Sequence, residues 1–334
     1  MASHRASLER VRLGMTDLEV SPIAFGTWQF GGEWGEFDED EAISAIRLAL
    51  DLGVNLFDTA HGYGFGISER VLGKALRDEL DQRRDEVLIA TKGGLRMAGD
   101  TMVRDSSPEW IRTGAEASLE ALGVDYIDLF QVHWPDFDTP FAETAGVLQE
   151  LVDQGKIRHV GVSNFDVAQM TEFAETRPVE TLQPPYDLFR RSIDAEILPY
   201  CSEHDIGTLI YGALAHGLLT GAMDENTTFP DDDWRSLAPF FKGEQFAKNI
   251  QVVRELQRFA EDQLGVSVAR MAIAWTLANP AVDVTIVGAQ QADHIEDSIA
   301  AADLDLSEAD LEEIDRITAG VALTSGPSPE MAAE

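Results

Sequence analysis

The 334-residue chain is 44% hydrophobic and carries 60 acidic against 25 basic residues, a formal net charge of −35. Such a charge repels nucleic acid and anionic membrane surfaces, and no apolar run reaches the roughly 18 residues of a membrane span. The single cysteine, Cys201, excludes an internal disulfide and suits a reducing cytoplasm.

The opening Met1-Ala2-Ser3-His4-Arg5 is polar and lacks the apolar core of a secretory leader, so a cytoplasmic protein is expected. A turn near Gly14-Met15-Thr16 precedes the first buried run, Ile23-Ala24-Phe25-Gly26. A helix is predicted over 39–52, with Ile43, Ile46 and Leu50 on one face, charges on the other, and Gly53 to stop it. Strand 54–57, helix 67–80, strand 87–91, helix 108–122 and strand 126–132 follow. Ser106-Ser107 caps the helix that starts at Pro108, a residue suited to the first helical position. The alternation continues through helix 140–154, strand 157–162, helix 166–176, a short strand at 181–183, helix 193–204 and strand 207–211. Residues 212–243, rich in Gly, Asp, Pro and aromatics, form a loop long enough to be functional or mobile. Helices 244–264 and 267–278, strand 283–287, and helices 291–301 and 307–318 complete the pattern, and a disordered tail is expected at about 324–334. Eight strand–helix units predict a parallel sheet closed into a single (β/α)8 barrel domain over 1–334.

Four polar residues stand at or just past the ends of the apolar runs: Asp58 after Val54-Asn55-Leu56-Phe57, Lys92 after Val87-Leu88-Ile89-Ala90-Thr91, His133 after Leu129-Phe130-Gln131-Val132, and Tyr63 five residues beyond Asp58. Asp58 and Lys92 are 34 residues apart and Lys92 and His133 are 41, each about one strand–helix unit, so neighbouring strands bring them to one rim. A free tyrosine, with a pKa of about 10, donates a proton poorly at neutral pH. A neighbouring ammonium stabilises the phenolate, and a carboxylate fixes that ammonium. A histidine can hold a carbonyl oxygen against the acid. These residue types therefore point to carbonyl reduction, and without a metal-ligand spacing a nicotinamide has to supply the hydride. The glycines at 62, 64 and 66 lack the spacing of a dinucleotide fingerprint and read as turn residues.

The stretch Phe57-Asp58-Thr59-Ala60-His61-Gly62-Tyr63-Gly64, followed by Ser68-Glu69-Arg70-Val71-Leu72-Gly73, resembles the signature of the aldo-keto reductase superfamily. Ile127 through Asp136, and Gly155-Lys156-Ile157-Arg158 through Gly161-Val162-Ser163-Asn164-Phe165, extend the likeness, which runs from about residue 8 to 318. Thr227 through Pro230 and Phe241 through Phe246 are similar to the bacterial and archaeal branch with the inositol-cluster and general-stress reductases. The resemblance implies that Tyr63 is the general acid, tuned by Lys92 and Asp58, and that His133 orients the carbonyl. It implies nicotinamide contacts at Ser163, Asn164 and Gln183, ring stacking on Tyr211, and a pyrophosphate loop through Gly212, Leu214, Gly217 and Leu218. It further places Thr27, Trp28, Gly288, Gln290, His294, Asp297 and Ser298 along the cofactor, Trp28 and Trp134 beside the substrate, and a hairpin at about 8–20 across the barrel bottom.

The cofactor is NADP(H) or NAD(H). Relatives commonly place a cation after Gly288-Ala289 for the 2′-phosphate, whereas this chain has Gln290-Gln291, and Ala222 stands where lysine is frequent. Only five residues are lysine (Lys74, Lys92, Lys156, Lys242 and Lys248), yet 20 arginines survive elsewhere, so a weakened NADPH preference is favoured over general lysine loss. Acidic excess with few lysines also predicts a halophilic host, the alternative being an ordinary acidic cytoplasmic enzyme. The expected substrate is a small carbonyl compound or sugar, chosen by loops 29–37, 95–105 and 212–243. Alternative functions are sugar or polyol oxidation and a slow redox-sensing subunit like the potassium-channel β subunits.

Overall fold

Eight short strands pair in chain order, each parallel to its neighbours: β1 (Ile23–Gly26), β2 (Leu56–Asp58), β3 (Leu88–Gly93), β4 (Ile127–Val132), β5 (Ile157–Ser163), β6 (Thr181–Gln183), β7 (Gly207–Ile210) and β8 (Val284–Val287). β8 pairs with β1, which closes the (β/α)8 barrel. The computed structural model describes residues 8–32, 34–230, 233–289 and 293–321; Gln290, Gln291 and the expected tail lie outside the described residues.

Side chains alternate across each strand, and this decides what fills the barrel. Phe57 on β2, Ile89 on β3, and Phe130 and Val132 on β4 join the large core between strands and helices. Leu56, Leu88, Ala90 and Leu129 join a separate interior cluster with Ala24, Leu209, Val284 and Ile286. Carried one pleat further, the interior columns reach Asp58 on β2, Lys92 on β3 and Gln131 on β4. The barrel is thus apolar at its N-terminal end and polar at its C-terminal end.

The predicted cap is an antiparallel hairpin of Val11–Arg12 and Glu19–Val20, and Leu13, Leu18 and Val20 complete the interior apolar cluster. Gly14 permits the docking: its φ is +50°, and a Cβ there would lie 2.1 Å from the Gly207 nitrogen. Arg12 pairs with Asp205 at 3.1 Å, and Arg158 with Asp17 at 3.1 Å, so charges fasten both sides of the hairpin.

Several boundaries differ from expectation. The helix expected over 67–80 is two helices, Ile67–Ala75 and Arg77–Gln82; Leu76 leaves helical geometry (φ −104°, ψ 13°) but stays buried, so the apolar spacing continues through the break. The expected helix 193–204 is a 3-10 turn (Ser192–Asp194) followed by Ile197–Glu203. The helix expected over 244–264 runs Gly243–Phe259 and then relaxes into a π turn, Ala260–Leu264. Residues 95–105 are a hairpin, Leu95–Ala98 with Thr101–Arg104, turned at Gly99. The long loop after β7 is ordered by 3-10 turns at Ala215–Thr220, Trp234–Ser236 and Pro239–Phe241. Among the described residues no helix is long and apolar enough to cross a membrane.

Candidate active site

The chain leaves β2 at Asp58 and reverses at once. Thr59 N donates to Ala90 O at 2.9 Å and His61 N to Lys92 O at 3.0 Å, so the turn is laced to β3. Gly64, Phe65 and Gly66 all have positive φ (62°, 48° and 91°), and a Cβ on Gly64 would approach Gly31 O to 2.5 Å. The turn glycines therefore shape the bend that carries Tyr63 over the barrel mouth.

Lys92 organises the centre. Its Nζ donates to Asp58 Oδ1 at 2.6 Å, Thr59 O at 3.0 Å and Tyr63 Oη at 3.3 Å. All three ammonium donors thus have acceptors, one of them the phenol. Asp58 Oδ2 accepts from Gln183 Nε2 at 2.8 Å. Asp58, Tyr63, Lys92 and His133 are 3, 6, 1 and 2% exposed, so their charges interact with little screening by water. His133 stands edge-on to Tyr63, with ring centroids 5.6 Å apart. Burial, followed by the Lys92 charge, holds its imidazole pKa well below the ordinary value, so the ring is neutral at neutral pH. Its Nδ1 is buried and has no hydrogen-bond partner among the described residues. The four residues predicted from the strand ends are brought together.

A second set lies on β5, β6 and β7. Ser163 Oγ donates to Gln183 O at 2.8 Å; Asn164 Nδ2 donates to Ser163 Oγ at 3.0 Å and to His133 O at 3.1 Å; Tyr211 Oη donates to Asn164 Oδ1 at 2.8 Å. Through Gln183 this network is continuous with Asp58. It offers both donors and acceptors, as a primary amide requires, and the half-buried Tyr211 ring stands beside it. The residues present therefore fit a nicotinamide.

The remaining predicted residues line the same rim with varied roles. Thr27 is fully buried, and its hydroxyl is tied to Asp58 O at 3.2 Å and to Ser68 at 2.6 Å. Gly212 and Gly217 have φ of 76° and 94°, Leu214 is half-buried between them, and Leu218 is in the core. Gly288 is closely approached: a Cβ there would lie 2.7 Å from Gln29 Oε1. His294 is exposed, and its carbonyl accepts from Ser298 Oγ at 3.1 Å. Asp297 is held by Ser267 and by Arg270 Nε at 3.3 Å. Trp134 lies under the Arg104 guanidinium of the 95–104 hairpin, 5.1 Å away. Sequence reasoning missed Thr59 O and Gln131, whose Oε1 is 3.5 Å from Gln183 Nε2, and it missed the ring cluster of Trp34, His216 and Trp234. The alternation of β4, which puts Gln131 in line with His133, could have found the glutamine.

Residues 22–319 match the family described as the aldo/keto reductase family. The chain is 43% identical over 290 residues to the aldo-keto reductase YhdN of Bacillus subtilis (strain 168), covering 86% of this chain and 87% of the relative. It is 33% identical over 319 residues to an NADH-specific methylglyoxal reductase of Escherichia coli (strain K12), covering 91% and 96%. The solved structure of the glycerol dehydrogenase AKR11B4 from Gluconobacter oxydans superposes with a TM-score of 0.86 at 40% identity, covering 98% of this chain and 99% of that one.

Proposed function

The chain belongs to the aldo/keto reductase family, whose members are NAD(P)H-dependent oxidoreductases, and from that premise we propose that it reduces aldehydes or ketones to alcohols with Tyr63 as the general acid. The observation that carries this reading is the buried Lys92 ammonium, 2.6 Å from Asp58 and 3.3 Å from the Tyr63 hydroxyl. A carbonyl oxygen at the barrel mouth accepts a hydrogen bond from Tyr63, and neutral His133 can donate a second. As charge grows on that oxygen, the phenol proton moves to it, and Lys92 stabilises the phenolate left behind. Asp58 keeps Lys92 in place, and Gln183 keeps Asp58 in place. A nicotinamide held by Ser163, Asn164 and Gln183 and stacked on Tyr211 would supply the hydride.

Tyr63→Phe retains the ring and removes only the proton donor. It should lower kcat by about 10²–10⁴-fold while leaving the cofactor Kd, followed by tryptophan fluorescence quenching, within about twofold. Turnover at the wild-type rate would overturn the assignment.

The same groups run in reverse for alcohol oxidation, with the phenolate taking the proton. The similarity to a structure titled glycerol dehydrogenase supports polyol oxidation as a second reading. We further propose that the enzyme works in a cytoplasm of high salt, and that Gln290 and Gln291 weaken its preference for NADPH. The NADH-specific name of the Escherichia coli relative supports the latter.

A further inference from the structure

The helix that follows the Tyr63 turn carries a carboxylate that the mechanism does not use. Glu69, in the first turn of the helix Ile67–Ala75, is completely buried. Its Oε1 accepts from Thr91 Oγ1 at 2.7 Å, and Thr91 precedes Lys92 on β3. Its Oε2 is buried without a hydrogen-bond partner among the described residues, and so is the Nδ1 of His61. These two atoms face each other at 3.6 Å. A carboxylate oxygen can only accept, and leaving a buried one unmet is costly. The hydrogen of the His61 imidazole is therefore assigned to Nδ1, and an approach of about half an ångström completes the bond.

His61 opens the turn that carries Tyr63. Its backbone N donates to Lys92 O at 3.0 Å, and its carbonyl accepts from Gly66 N at 3.1 Å, which closes the turn. Its ring stands edge-on to Phe65, with centroids 5.7 Å apart. Phe65 holds a φ of +48°, a left-handed conformation that a bulky residue keeps only when its surroundings impose it. Glu69 thus touches both halves of the acid: the turn that bears Tyr63, through His61, and the strand that bears Lys92, through Thr91.

We propose that Glu69, acting through His61 and Thr91, is a positioning residue that fixes Tyr63 Oη at 3.3 Å from Lys92 Nζ. The proposal rests on the reading of Tyr63 as the general acid. Held at that distance, the phenol releases its proton to the carbonyl oxygen with the ammonium in place to stabilise the phenolate. Without Glu69 the turn keeps its backbone bonds to β3 but loses its side-chain stop. The strained stretch 64–66 then relaxes, and Tyr63 moves away from Lys92.

The test follows kcat/KM for methylglyoxal or glyceraldehyde, whichever the wild type reduces faster, against pH at saturating NADH or NADPH. Glu69→Ala removes both contacts, whereas His61→Phe removes the imidazole donor and keeps a ring beside Phe65. Each should lower the plateau about tenfold and move the alkaline limb up by about one pH unit, because a phenol farther from Lys92 holds its proton more tightly. The cofactor Kd, read by fluorescence quenching, should stay within about twofold, since neither side chain belongs to the nicotinamide network. Glu69→Gln offers Thr91 an acceptor and the other His61 tautomer a donor, so it should return to within about threefold of wild type. Added to Tyr63→Phe, either damaging variant should cost no more than about a further twofold, because losses that act through one residue are not additive. His61→Phe decides the outcome if Glu69→Ala does not fold. An unmoved alkaline limb, a full additional loss in the Tyr63→Phe background, or a Glu69→Gln enzyme as slow as Glu69→Ala overturns the inference and leaves the reductase reading standing. Wild-type turnover by Tyr63→Phe, or turnover of neither aldehyde by the wild type, overturns that reading and the inference with it.

Discussion

At the scale of single residues, a buried ammonium and a neutral imidazole flank one phenol. Lys92 donates to Tyr63 Oη at 3.3 Å, and burial with the Lys92 charge keeps His133 uncharged. These are complementary states: one group stabilises the phenolate, while the other can donate a hydrogen bond without adding a second positive charge. The residues were legible because Asp58, Lys92 and His133 fall at or just past the ends of consecutive apolar runs with Tyr63 close behind; any one of them alone reads equally well as a structural ion pair or packing residue. Gln183 was only half legible. The resemblance assigned it to the nicotinamide, yet its amide nitrogen is 2.8 Å from Asp58 and its carbonyl accepts from Ser163, which makes it the link between the Ser163–Asn164 network and the Asp58–Lys92 pair. The cofactor preference also belongs at this scale. A 2′-phosphate carries nearly two negative charges and is best met by arginine. Gln290 and Gln291 bring no charge to their segment, and Arg270, a cation beside Asp297, is paired with that carboxylate. Fluorescence titration should therefore give NADPH no more than about a threefold advantage over NADH, and Gln290→Arg should tighten NADPH about tenfold while leaving NADH nearly unchanged. A wild-type advantage for NADPH of about a hundredfold would refute the argument.

Among the elements, the N-terminal hairpin and the hairpin after β3 both turn on glycines with positive φ, but only the first is pressed against backbone. A Cβ on Gly14 would lie 2.1 Å from the Gly207 nitrogen, whereas around Gly99 there is open space. Gly99→Ala should cost only the left-handed backbone penalty, about 1–2 kcal/mol. Gly14→Ala adds displacement of the plug formed by Leu13, Leu18 and Val20 and should cost about 3 kcal/mol or more. Urea unfolding followed by circular dichroism at one fixed high salt concentration measures both, and equal midpoints would show that the hairpin does not bear on the barrel in this way. Elements with a long period were readable: the helix Pro108–Leu122, capped by Ser107 and stopped by Gly123, is where its sequence signals put it. The 95–104 hairpin escaped because its Gly99-Asp100 turn is flanked by strands only four residues long. The ring cluster escaped for a different reason. Trp34 and Trp234 are 200 residues apart, and no local pattern shows that two rim loops meet.

For the whole molecule the governing quantity is charge. Among the described residues, most exposed arginines already have carboxylate partners, as in Arg112 with Glu150 at 2.5 Å, Arg254 with Glu225 at 2.5 Å and Arg316 with Glu313 at 2.6 Å. Such pairs contribute about 0–1 kcal/mol each, and 25 cations cannot neutralise 60 anions however they are placed. The surplus carboxylates repel one another in the folded state at close range and in the unfolded chain at longer range, so the fold gains when salt screens them. The screening length falls from about 10 Å at 0.1 M to about 3 Å at 1 M salt. The urea midpoint should therefore rise steeply with potassium chloride up to about 1 M and then level off. A general salting-out of apolar surface has another signature: it keeps growing with concentration and is stronger with sulfate. The Asp58–Lys92 pair, 4 and 1% exposed at its side chains, lies beyond the reach of this screening, so kcat measured on folded protein should change far less than the midpoint does. Full stability in dilute buffer, with no gain on adding potassium chloride, would remove the case for salt adaptation and leave an ordinary acidic enzyme.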